Sequence, residues 1–145
     1  MTEDNPIHAS CVAISGRAVL LMGPSGSGKS DLALRLIDRG AALVSDDYTA
    51  LTLSNGLLLA SPPDTIAGMI EVRHIGIVHL PCVSNVPVAL VIGLEDRPER
   101  MPDCPATIDL LGVAVPRIAL AGLEPSAPIK LEHALARFGL GGSAA

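Results

Sequence analysis

Short apolar runs separated by Gly, Pro and Asn dominate the chain, and only two longer stretches keep the three-to-four-residue spacing of a helix. Residues 7–15 (IHASCVAIS) read as a strand, Gly16 and Arg17 as a turn, and residues 18–22 (AVLLM) as its antiparallel return. In residues 30–39 (SDLALRLIDR), Leu32, Ala33, Leu36 and Ile37 share one helical face, and Gly40 supplies the stop. Residues 41–45 (AALVS) are short and apolar, which predicts a buried strand, and they run into Asp46 and Asp47. A strand leaving that helix must cross back beside the first strand, which brings its carboxyl end to the rim of Lys29.

Further along, residues 48–53 and 57–60 flank Ser54-Asn55-Gly56, a hairpin signal ended by Pro62 and Pro63. Residues 64–69 predict one helical turn, and residues 75–80 and 88–94 predict strands. The charged, proline-rich residues 95–105 predict a loop. Residues 107–111 and 113–120 follow as short strands around Gly112, with Pro116 pushing the second towards an edge. Ser126 is expected to cap a last helix with Pro128 in its first turn, burying Ile129, Leu131, Ala134, Leu135 and Phe138. No repeat is visible, so the pattern predicts a single α/β domain over residues 1–145, strand-rich with few helices. Residues 1–6 form a loose arm and residues 139–145 a flexible tail in this reading.

Between the second strand and the first helix lies GPSGSGKS: Gly23, Pro24, Ser25, Gly26, Ser27, Gly28, Lys29 and Ser30. It meets the phosphate-loop pattern G-x-x-x-x-G-K-[S/T] at every fixed position and sits in the strand–loop–helix context that the pattern requires. Successive backbone N–H groups cradle phosphate oxygens, helped by the positive end of the helix. Lys29 is expected at the terminal phosphates and Ser30 on a magnesium ion. The predicted ligand is a nucleoside triphosphate.

Composition narrows what this site can serve. With 10 basic and 15 acidic residues, one Tyr, one Phe and no Trp, the chain has neither the basic stripe nor the stacking aromatics of a nucleic-acid binder. Cys11, Cys82 and Cys104 lack C-x-x-C spacing and are odd in number, which argues against a zinc site and a disulfide framework. A reduced, cytoplasmic setting is the expectation. Mean hydropathy is high at +0.48, yet no apolar run approaches the ~20 residues of a membrane span, and the acidic start MTEDNP is unlike a signal peptide. The surplus apolar surface predicts a subunit interface, hence a homo-oligomer.

Residues 69–80 (MIEVRHIGIVHL) carry a second signal. On a strand, Glu71 and Arg73 point to one face while Ile70 and Val72 point to the other. A carboxylate and a guanidinium together suit a magnesium phosphate site as metal ligand and clamp, or else an exposed salt bridge. His74 and His79 are five apart, which on one strand puts them on opposite faces and assigns them no metal.

From residue 7 to 94 the arrangement resembles the HPr kinase/phosphorylases, bacterial enzymes that phosphorylate a seryl hydroxyl of the phosphocarrier protein HPr. His8 in IHAS, the loop GPSGSGKS, the strand end LVSDD, and EVRHIGI in place of the usual EIRGLGI match in order and spacing. The resemblance implies a fold like the nucleotide-binding half of phosphoenolpyruvate carboxykinase, ATP as phosphoryl donor, Mg2+, and an HPr-like protein as partner. It implies Asp47 as general base, Asp46 orienting it or holding metal through water, and His8 beside the base. Glu71 corresponds to a metal ligand and Arg73 to a residue of the catalytic segment.

Three departures bear on these expectations. The chain resembles short forms consisting of the kinase domain alone. His74 stands where the family has Gly. The later Pro-Gly-Arg-Asn segment associated with dephosphorylation has no clear counterpart, so kinase activity is implied more directly than phosphorylase activity. Arg97 and Arg100 are both candidates for a further functional arginine. Two other classes remain: a small-metabolite kinase, which would need an arginine-bearing lid that the strand-rich second half lacks, and a nucleotide-sensing regulator, which has no use for a base such as Asp47.

Overall fold

The computed structural model describes residues 5–99 and 105–141. Most of the predicted arm, Arg100, Cys104 and the end of the tail lie outside the described residues.

The organising element is β9 (Val86–Leu94), whose near-continuous apolar sequence VPVALVIGL is buried on both faces, as an interior strand must be. It runs parallel to β3 (Arg17–Met22) and to the end of β11 (Val113–Leu120), and its first residues pair antiparallel with β6 (Leu57–Ser61). β3 forms a hairpin with β2 (Ser10–Ile14), and β2 in turn carries β4 (Ala42–Ser45) on its other side. β5 (Tyr48–Ser54) joins β6 through the expected hairpin and holds β1 (Ile7–His8) at the far edge. The order is β1-β5-β6-β9-β3-β2-β4, with β11 and β10 (Ala106–Leu110) joined through β9.

The strand expected over residues 7–15 is thus two strands with different partners, separated at Ala9. The turn after it centres on Ser15 and Gly16 (φ 53 and 80), and Arg17 already belongs to β3. β4 does cross back beside the first strand: β2 lies between β3 and β4 and is antiparallel to both. β3 and β4 therefore run in the same direction and end on one rim.

Alternation along these strands feeds two cores. Val12, Val19, Leu21, Leu90 and Ile92 pack with Leu32, Ala33 and Leu36 of α1 (Lys29–Asp38) and with Leu131 and Leu135 of α2 (Ala127–Phe138). Cys11, Ala18, Leu20, Val88 and Val91 face the other way, against Leu51 and Leu58 of the β5–β6 pair and Val115 of β11. α1 ends as expected, with the Gly40 and Ala41 amides donating back to the Ile37 and Leu36 carbonyls, both at 3.0 Å. Arg39, beside that end, pairs with Glu132 of α2 at 2.7 Å.

The second helix departs in two details. Ser126 has helical backbone angles (φ −84, ψ −1) instead of the extended ones of a capping residue, and makes no side-chain cap. Ile129 is 45% exposed; Ala127 and Pro128 take the buried places at the start of the helix. Pro116 lies where β11 pairs with β10 alone, before its pairing with β9 begins at Arg117, so that part of the strand is locally an edge.

The segment 69–80 also differs from expectation. The strand expected over residues 75–80 is present as β8 (Gly76–His79), but it forms a separate hairpin with β7 (Met69–Val72), and Arg73, His74 and Ile75 make the turn between them. Glu71 and Arg73 therefore do not share a strand face, and His74 and His79 are not on one strand. The Gly76 that follows (φ 123) and His74 (φ 75) take positive φ, which turns the chain back before the alternation can continue.

Candidate active site

The phosphate loop leaves β3 at Met22 and enters α1 at Lys29, a residue earlier than the helical spacing predicts. Gly28 is the residue before the helix, with φ 98, and a Cβ there would sit 2.7 Å from the Leu123 side chain. A Cβ on Gly23 would lie 2.8 Å from the Ser27 hydroxyl and 3.1 Å from Leu94. The loop is therefore tight between the sheet and the segment after β11, and glycine is what fits. Lys29 is 7% exposed; its ammonium donates to the carbonyls of Gly23 (2.7 Å) and Pro24 (3.0 Å).

The two aspartates at the end of β4 have opposite surroundings. Asp46 is 6% exposed, and its Oδ1 accepts hydrogen bonds from the Ser10 (2.9 Å) and Ser30 (2.6 Å) hydroxyls. Its Oδ2 accepts the Glu71 backbone N–H at 3.0 Å. One buried carboxylate thus joins β2, the first turn of α1 and the β7–β8 hairpin.

Asp47 is exposed. It sits at the centre of a γ-turn, with φ 72 and the Tyr48 N–H donating to the Asp46 carbonyl at 2.8 Å. This is the strained hand of that turn, and strain of this kind gathers at functional sites. The Asp47 N–H donates to the Ser10 hydroxyl at 3.2 Å, and its Oδ1 is 3.1 Å from Nε2 of His8. β1 brings His8 there by pairing with Tyr48, whose ring lies 5.1 Å from the imidazole.

Between these elements opens a cleft of about 590 Å³. Ser25, Gly26, Gly28, Lys29 and Ser30 line it from the loop side; His8, Asp47, Glu71 and Arg73 line it from the other. Asp46 stands behind it, and the carbonyls of Gly23 and Pro24 hold Lys29 from behind the loop. Ser27 faces a smaller cavity with Glu95 and Asp96. Arg97 is exposed in the loop after β9 and is not among the residues lining the cleft.

Sequence reasoning passed over three participants. Ser10 ties both aspartates together, and its one signal is a hydroxyl on an otherwise apolar buried strand. Leu123 lines the cleft next to Gly28, and Arg35 of α1 holds that segment by donating to the carbonyls of Gly122 and of Glu124 (2.8 Å). Nothing local marks Leu123, because the packing across the loop is tertiary. Burial pushes the Cys11 thiol far above its ordinary range, so it offers no nucleophile. No helix among the described residues is long and apolar enough to cross a membrane.

Comparison with known proteins gives this geometry a family. The family model described as HPr Serine kinase C-terminal domain matches residues 1–122. An HPr kinase/phosphorylase of Variovorax paradoxus is 32% identical over 132 residues, covering 81% of this chain and 41% of the relative. One of Clostridium botulinum is 42% identical over 78 residues, 54% of this chain and 26% of the relative. The chain thus spans less than half the length of these curated relatives. Among solved structures, the Hpr(Ser) kinase/phosphatase from Coxiella burnetii superposes with a TM-score of 0.75 at 36% identity, covering 87% of this chain and 85% of that one.

Proposed function

The chain belongs to the HPr Serine kinase C-terminal domain family, and from that premise and the cleft we infer an ATP-dependent, magnesium-requiring protein kinase that phosphorylates a seryl hydroxyl of an HPr-like phosphocarrier. In this reading it is a single catalytic domain of the phosphoenolpyruvate carboxykinase-like kind, acting in the cytoplasm. The observation that carries it is the position of Asp47, on the cleft shared with Lys29 and Ser30 and 3.1 Å from His8.

The transferred phosphoryl group passes through a loose transition state, so the protein's work is positioning and charge neutralisation. The loop amides and Lys29 hold the donor's phosphates, and Arg73 meets charge developing on the transferred oxygens. Asp47 takes the proton of the incoming serine, with His8 fixing the carboxylate through Nε2. Asp46 stays behind, keeping the Ser30 hydroxyl and the hairpin in register. The oxygen donors around Ser30, with Asp46 at 2.6 Å, suit a hard cation. Ser30 and Glu71 would hold magnesium, which neutralises charge on the phosphates. Among the described residues no three His, Cys, Asp or Glu side chains are grouped, and an ion held largely by substrate phosphates and water needs no such cage.

The test is transfer from labelled ATP, with magnesium, to a purified HPr-like protein and to a panel of small alcohols. The expected result is label on one serine of the protein and none on the alcohols. Label on an alcohol alone would make this a metabolite kinase, and hydrolysis without transfer would make it a nucleotide sensor.

A further inference from the structure

The turn of β7–β8 carries a histidine on backbone that favours glycine. The Ile75 N–H donates to the Val72 carbonyl at 2.9 Å, which places His74 third in the turn, and its φ is 75. Positive φ at that place marks a type II turn, where glycine or asparagine is usual because a larger side chain crowds the backbone. Such strain persists where surrounding structure imposes it, and it concentrates at ligand sites.

Here the base of the hairpin is firmly held. Ile70 is fully buried, the Glu71 N–H bonds the Asp46 carboxylate at 3.0 Å, and the Leu80 N–H bonds the Gly68 carbonyl at 2.8 Å. The tip extends over the cleft, where His74 is a lining residue together with Lys29, Ser30 and Arg73. We propose that His74 binds phosphate, its imidazole donating an N–H to an oxygen of the donor's terminal phosphates beside Lys29 and Arg73. An imidazole offers an N–H donor in either tautomer, whereas glycine at this position offers no side chain at all. The strained side chain thereby adds a contact to the hairpin wall that the glycine version of the same turn lacks.

This inference rests on the cleft being a phosphoryl-transfer site, so its test carries a separate control. Affinity for inorganic tripolyphosphate with magnesium is measured by calorimetry on the full chain and on His74→Gly, His74→Asn and Lys29→Ala, alongside melting temperature. His74→Gly should melt higher, since the turn relaxes, yet bind about tenfold more weakly, the usual loss for a hydrogen bond to a charged group. His74→Asn should lose as much, because asparagine accepts this backbone but does not reach as far. Unchanged affinity in His74→Gly overturns the proposal if Lys29→Ala has lost binding. Retained affinity in His74→Asn also overturns it, by showing that turn rigidity and not the imidazole matters. Unchanged affinity in Lys29→Ala as well would instead reject the reading of the cleft.

Discussion

On one wall of the cleft the phosphate cradle is a continuous segment between β3 and α1; the opposite wall gathers His8 from β1, Asp47 from the end of β4, and Glu71 and Arg73 from the hairpin. The cradle's own parts are neighbours in sequence, namely glycines, a helix start and a lysine bonded to the Gly23 and Pro24 carbonyls, and Leu94 and Leu123 close in on them from elsewhere in the chain. The other wall draws on long-range contacts, chief among them the buried Asp46, which accepts hydrogen bonds from β2, α1 and the hairpin at once. Changes in the first wall should therefore alter binding and leave the fold intact, while changes behind the second should disturb both.

The sharpest separation is expected at Asp47. Asp47→Asn keeps the size of the side chain but cannot take a proton at neutral pH, so the transfer rate should fall by roughly a hundredfold to ten-thousandfold. Binding of magnesium ATP should change far less. A variant that recovers its rate on added magnesium would show Asp47 to be a ligand and not the base.

Lys29→Ala should abolish detectable phosphate binding in calorimetry while its circular dichroism melt stays close to that of the parent. Loss of folding instead would mean that the cradle is no more independent than the other wall. Asp46→Asn tests the wall from behind. The Glu71 N–H would lose its charged acceptor and meet either an amide oxygen or an amide N–H, at a cost of ~2 kcal/mol. The melting temperature should drop together with activity, and a drop in activity alone would show that Asp46 does not hold the wall together.

Glu71→Gln should have a smaller effect, a raised magnesium requirement with activity regained at saturation; unaltered magnesium dependence would remove Glu71 from the metal site. The least change is expected far from both walls, at Glu132. The hydrogen bond from Arg39 holds its carboxyl below the usual range, so its stabilisation is present at neutral pH and lost as pH falls through that lowered value. Glu132→Gln should leave transfer untouched and flatten only the acid side of the stability profile. An effect on turnover would show that the α1–α2 contact reaches the cleft.

Patterns confined to neighbouring residues were legible in the chain alone. The loop GPSGSGKS carries its context on both sides, the Asn55-Gly56 turn joins β5 to β6, and the apolar run of β9 announces a strand, because each signal depends on backbone freedom or periodicity over a few residues. The pair Asp46-Asp47 was equally visible, and the resemblance implied separate roles for the two, but their opposite surroundings could not be read from the local pattern. Adjacent identical residues have the same local signal, and only the packing of Ser10, Ser30 and the Glu71 amide around one, and of His8 against the other, sets them apart. The hairpin marks the same limit. Alternation over residues 69–73 is compatible with a longer strand, and what bends it after Val72 is a pair of positive φ values at His74 and Gly76, in a hairpin whose base is held by the Asp46 carboxylate and by burial of its own Ile70. Local chemistry wrote the cradle into the chain; long-range pairing, whose partners lie far apart in sequence, decided which residues face it.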